Sequence, residues 1–169
     1  MATAALVSLE EYLRTSYEPD CDYVDGTLEE RNLGEFGHGD LQGALILYLR
    51  SRARQWNVRV VPETRVRVSS TRVRVPDVCV LSRETPVERV ITVPPLVCIE
   101  ILSPEDRWSR VEKRIEDFLA MGVAHVWVFD PQERQVFDCA SDGHRLVTGD
   151  LLEAPPISIR LSELFADLD

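Results

Sequence analysis

Lysine is almost missing from this chain. Of 19 basic residues only Lys113 is a lysine; all the others are arginine. Genomic composition bias explains this most simply, yet a lysine kept against such a bias can do what arginine cannot, because only an amine readily loses its proton. Basic charge as a whole is also in deficit. Asp and Glu number 29 and the formal net charge is −10. That sign opposes broad, non-specific nucleic-acid binding but leaves room for a local basic groove. Long apolar runs are lacking, and none is of a length to cross a bilayer. The stretch Met1 to Val7 has no positive charge and meets Glu10 and Glu11 almost at once, unlike a signal peptide; the expected compartment is the cytoplasm. Paired metal-ligand cysteines are lacking too. Cys21, Cys79, Cys98 and Cys139 show no CxxC or Cys/His spacing, which argues against zinc and for small buried thiols in a reducing compartment.

What is present suits one globular domain over residues 1–169, with 44% hydrophobic residues to build a core. Ser8 with Glu11 forms a capping box before a short helix from Leu9 to Thr15. Asp25-Gly26 between two β-like runs predicts a hairpin. Asn32 to Gly39 is glycine-rich and predicts a loop, and a long amphipathic helix is expected from Asp40 to about Gln55. A strand at Val58 to Val61 follows. From Glu63 to Val75, arginines alternate with valines about a Ser69-Ser70-Thr71 centre, which predicts a hairpin with one face of each kind. The arginine face is a nucleic-acid surface, a solvated edge balanced by acids, or a dimer surface. Arg83 to Val93 is a polar connection. A helix capped by Asp106 is expected from Trp108 to Met121, ended by Gly122. Strands are expected at His125 to Phe129, Gln135 to Cys139 and His144 to Thr148. A short strand should follow Pro155-Pro156, and Ser162 to Leu168 should form a terminal helical turn. The order predicts an α/β fold with a central mixed sheet flanked by helices, Leu96 to Phe129 being a parallel strand-helix-strand crossover.

The chemistry concentrates in two apolar strands. Pro95 to Pro104 reads as a strand buried on both faces, with Glu100 inside it. Val75 to Leu81 is the second, and the period of two from Val73 and Val75 turns Asp77 inward. A buried carboxylate is costly unless it has a partner. One partner is a metal: Asp77 and Glu100, with the main-chain carbonyl of Ile101, form a ligand set for Mg²⁺ or Mn²⁺, which activates water and offsets charge on a phosphodiester. The other is structural. Asp77 could bond backbone amides or an arginine, and Glu100 could pair with Arg72, Arg74 or Arg114.

Val75-Pro76-Asp77, Cys98 to Pro104, Gly122-Val123 and Trp127 to Pro131, with Tyr23 to Gly26 and His38, resemble the Uma-type family over nearly the whole chain. These bacterial proteins carry the description of restriction endonucleases, with a fold of the PD-(D/E)xK nuclease superfamily. The resemblance implies a restriction endonuclease-like fold and a metal-dependent endonuclease acting on nucleic acid, DNA foremost. Asp77 matches the first acid of the motif and Glu100 the second. Leu102 stands where the usual motif has lysine; the family draws that lysine from the following helix, in a register that falls on Arg114 with Lys113 just before it. Adjacent helical residues point about 100° apart, so both cannot face one site, and Lys113 is preferred because it can lose its proton. Glu30, as an outer carboxylate, and His38, positioning a water or phosphate, are second-tier candidates. Analogy with small nucleases of this fold implies a homodimer. The alternative is a catalytically inactive member kept as an interaction or nucleic-acid-binding module.

Overall fold

A computed structural model describes residues 6–32 and 34–169. Most of the Met1–Val7 stretch, and one residue of the 32–39 loop, therefore lie outside the described residues. The elements run α1 (Leu9–Arg14), β1 (Asp22–Val24), β2 (Thr27–Glu29), α2 (Phe36–Arg52), β3 (Val58–Pro62), β4 (Val66–Arg67), β5 (Arg72–Arg74), β6 (Val78–Ser82), β7 (Val97–Ile101), α3 (Trp108–Met121), β8 (His125–Asp130), β9 (Gln135–Ala140), β10 (Gly143–Leu146), β11 (Leu151–Ala154), β12 (Ile157–Arg160) and α4 (Leu161–Ala166). No described helix is long and apolar enough to cross a membrane.

A six-stranded sheet, β10-β9-β8-β7-β6-β3, forms the centre. It is mixed: β7 and β8 are parallel across the α3 crossover, and the other pairs are antiparallel. Strand periodicity divides its side chains between two cores. Val97, Ile99 and Ile101 join Leu41, Leu45 and Leu49 of α2 on one side. Cys98 joins Cys79, Val111, Ile115 and Phe118 on the α3 side. A smaller sheet, β2-β1-β5-β4, stands beside it, and β11 pairs with β12. All four cysteines are buried and free. Burial pushes the Cys79 and Cys139 thiols up to about 12, as inert core groups require.

Two expected boundaries shift, with consequences for the site. The long helix starts at Phe36, four residues before Asp40, so the glycines at 37 and 39 lie in its first turn. The cost of helical glycine, about 1 kcal/mol each, is outweighed by tertiary packing of the face that carries Leu41 and Leu45. Asp106 is not the α3 cap. That position is Arg107, while Asp106 accepts the Ser103 N–H at 2.7 Å and a bond from Asn32. Gly122 ends α3 as expected, at φ 110° with its N–H turned back to Phe118 and Leu119.

Three of the four arginines on the arginine face of the 63–75 hairpin form a seam of charge, while Arg67 meets only the Ser69 carbonyl. Arg65 bonds Asp20 at 2.7 Å and lies over the Tyr12 ring. Arg72 bridges Asp25 and Asp117, and Arg74, 2% exposed, holds Asp22, Glu29 and Asp117. These guanidiniums tie the hairpin to β1, β2 and α3.

Candidate nuclease site

The cleft is built on strand register. β6 and β7 pair Val78 with Ile99 and Cys79 with Cys98, and one more step sets Asp77 opposite Glu100. Both acids fall on the α3 side, in phase with Cys79 and Cys98. Each is buried, Asp77 at 4% and Glu100 at 7% exposure. They line one cleft of about 50 Å³ with Arg31, His38, Arg110 and Arg114 among its other walls. Asp77, Glu100 and Ile101 thus line the same cleft.

Each carboxylate carries its own cations. Asp77 Oδ2 accepts the Ile101 N–H at 2.7 Å, and Oδ1 accepts Arg31 at 2.6 Å and lies 3.3 Å from His38 Nε2. Glu100 is gripped by the fork of Arg114, with Nη2 donating to Oε1 at 2.8 Å and Nε to Oε2 at 3.2 Å. Arg114 also donates to the Val75 carbonyl at 2.9 Å and to Asp22. Both structural alternatives are thus realised: an arginine and an amide on Asp77, and Arg114 on Glu100.

These surroundings push the two acids apart. Burial lifts Glu100 to about 7, against the attraction of Arg114 and with the repulsion of Asp77. Burial also opposes ionisation of Asp77, but the His38 bond and charge, Arg31 and the Ile101 amide outweigh it and hold this carboxyl below its ordinary value. His38 is raised in turn: burial would lower it, and the bond to Asp77 more than compensates.

Of the helix pair, Arg114 faces the cleft and Lys113 does not. Buried Val111, Arg114, Ile115 and Phe118 mark the inner face of α3, and Lys113, one residue off it, is exposed. It borders a neighbouring surface hollow with Glu29, Ser109 and Arg110. The preference for Lys113 is corrected by the packing of α3. Glu30 is exposed as well, and its backbone carbonyl, not its carboxylate, meets Arg110. His38 reaches Asp77 because α2 starts early enough to place it in the first turn. Gln42, one turn on, donates to the Asp77 carbonyl at 3.0 Å.

Three participants were not singled out from the sequence. Arg31 was hidden at the end of an acidic run, and Arg110 looked like an ordinary exposed helix residue. Asp22, 1% exposed, accepts from Arg74, Arg114 and the Val75 N–H. The hairpin arginines, which need counter-charges, were the available signal for it.

A divalent ion would meet few protein donors in this cleft. No group of three or more His, Cys, Asp or Glu among the described residues is arranged to hold one. Three carboxylates border the cleft, Asp77, Glu100 and Asp106, and the two buried ones can accept more bonds than they receive from protein donors. Magnesium keeps several waters and is commonly held by one or two carboxylates plus substrate phosphates. The residues fit an ion that shares its ligands with substrate, and they do not form an all-protein cage.

No curated protein matches the chain. The fold is similar to the crystal structure of a putative nuclease belonging to DUF820 from Anabaena variabilis ATCC 29413, with a TM-score of 0.83 and 23% identity over 96% of this chain and 99% of that one. At that identity the likeness speaks for the fold. The profile of the Uma2 family, whose description is "Putative restriction endonuclease", matches residues 9–166. With that match spanning the cleft and nearly all the elements around it, this chain belongs to the Uma2 family.

Proposed function

We propose that the chain hydrolyses phosphodiester bonds of nucleic acid, DNA foremost, at the Asp77–Glu100 cleft with Mg²⁺ or Mn²⁺ as cofactor. The observation that carries this is that two buried carboxylates, Glu100 on β7 and Asp77 just before the neighbouring β6, line one cation-walled cleft. A bound divalent ion would lower the pKa of its water and offset charge on the phosphate. Asp77 and Glu100 would hold that ion, with the Ile101 carbonyl as a third ligand. Arg114 takes the place of the family's lysine and keeps only its electrostatic part, since a guanidinium does not give up its proton. Arg110 and His38 are placed to meet phosphate oxygens, and His38 to keep Asp77 oriented. In this reading ions bind weakly until substrate arrives, because Arg31 and Arg114 already neutralise the acids.

Mn²⁺-dependent cleavage of duplex and single-stranded DNA tests this directly. Asp77→Asn and Glu100→Gln should each reduce the rate at least 100-fold, while Lys113→Gln should change it less than threefold, as losses of about 3 kcal/mol and under 1 kcal/mol of transition-state stabilisation imply. The same preparations in sedimentation equilibrium test the homodimer, which belongs to this proposal by analogy with the fold.

A second reading rests on the paired arginines. A cleft whose acids are each closed by a guanidinium, with no amine in the lysine position, also suits a non-catalytic nucleic-acid-binding or interaction module. Nucleic-acid binding without cleavage under every divalent ion would favour it.

A further inference from the structure

Away from the cleft, Arg50, Arg54, Arg59 and Arg83 line one surface hollow of about 390 Å³. None of the four takes part in an ion pair among the described residues. In a chain of net charge −10, where three of the four hairpin arginines, Arg65, Arg72 and Arg74, are matched with acids, four unmatched arginines in one hollow stand out. No carboxylate lines the hollow; its other walls are Ala53 and valines 58, 60 and 61. The C-terminal dipole of α2 accounts for Arg50 and Arg54. It does not account for Arg59 on β3 or for Arg83 just after β6. Those two are held in place by backbone carbonyls, Arg59 Nη2 donating to Arg83 at 3.4 Å and Arg83 Nη2 to Val58 at 3.2 Å. Arg59 Nε is buried and has no partner among the described residues.

We infer that this hollow is an anion site that grips the phosphate backbone of a DNA duplex. Four guanidiniums gathered without counter-charge repel one another, and phosphates arriving between them relieve that repulsion. The hollow lies at the far end of α2 from His38 and Gln42. Seventeen helical residues span about 25 Å, or about seven base pairs at 3.4 Å each. A duplex is stiff on that scale, so contact at the hollow would steady DNA whose scissile bond lies in the cleft. The choice of DNA rests on the nuclease reading; the anion site does not.

Binding of a 25-base-pair DNA duplex, followed by fluorescence anisotropy in EDTA from 50 to 200 mM salt, decides the matter. Arg54→Gln/Arg83→Gln removes two charges from the hollow, and Arg67→Gln/Arg89→Gln removes two unpaired charges elsewhere. Each lost phosphate contact lowers the magnitude of the slope of log K against log salt by about 0.9. The first double variant should therefore lose about 1.8 in slope and at least tenfold in affinity, with the second unchanged and both melting as wild type does. Equal slopes in the two doubles, or binding of neither duplex nor inorganic pyrophosphate by wild type at 50 mM salt, would overturn the site. Binding of inorganic pyrophosphate at the hollow without duplex binding would overturn the duplex as its ligand. No divalent ion is present in this assay, so a chain that never cleaves can still pass it. A chain that cleaves normally while the two doubles behave alike loses only this inference.

Discussion

Arg114 is the side chain on which the site's stability turns. It is 8% exposed and serves Glu100, Asp22 and the Val75 carbonyl together. Arg114→Ala strands the buried Glu100 and takes one of two cations from Asp22, and should cost about 3–5 kcal/mol, read as a shift in the urea midpoint. Arg114→Lys keeps a charge but not the planar fork, so it should recover only part of that loss. His38 gives a second handle at this scale. Its pKa is raised by Asp77, so its imidazolium stabilises the fold fully below the unfolded value, near 6.5, and that contribution is lost as pH rises through the folded value. NMR titration in metal-free buffer should find the His38 pKa above its ordinary value, falling back in Asp77→Asn. An unchanged titration in that variant would mean that the two groups do not interact. Lys113, by contrast, could not be ranked against Arg114 from residue type alone. Only the face that α3 buries separates them.

Elements carry their own signals, some strong enough to read directly. The β7 run and its parallel partner β8 were legible because short apolar stretches bounded by proline and glycine have few other uses. The end of α3 was legible because Gly122 takes a left-handed φ of 110°. A Cβ there would also come within 3.4 Å of the Pro94 ring. Gly122→Ala should destabilise by about 1–2 kcal/mol, seen as a lower melting temperature with no change in nucleic-acid binding. The start of α2 was not legible. Glycines at 37 and 39 disfavour a helix locally, and burial of Leu41 and Leu45 along the sheet overrides them. That override brings His38 to Asp77, so an error of one helical turn at the sequence level concealed a contact in the site.

Across the whole molecule the ionisable groups oppose one another as pH changes. Asp77 and Asp25 lie below their ordinary values. The stability they supply is present above the unfolded aspartate value, near 3.8, and is lost as pH falls through the folded values. Glu100 behaves in the reverse sense. Its folded pKa of about 7 exceeds the ordinary 4.5, so the folded state binds more protons between those values and stability declines as pH rises through them. Loss of the His38 contribution adds to that decline toward its upper end. Melting temperature should therefore peak near pH 5, as the crossing of these windows implies, and fall on both sides. Glu100→Gln should flatten the neutral side. A peak at pH 8 in the wild-type chain would show that Arg114 keeps Glu100 ionised throughout.

Two apolar strands, β6 and β7, were legible in the sequence, because alternation of side chains along a strand is a local property; Glu100 lies inside β7, whereas Asp77, expected within the strand, sits in the bend just before β6. Legible too were the family and most of the order of the elements, β11 at Leu151–Ala154 being the strand that was not expected. What lies against those acids was decided only by the tertiary structure. Arg31 and Arg114 stand 46 and 14 residues away from the carboxylates they hold. In a chain whose cations are nearly all arginine, composition cannot choose among them. The choice follows from register between β6 and β7 and from the face α3 buries, and both are set by packing over long sequence separations.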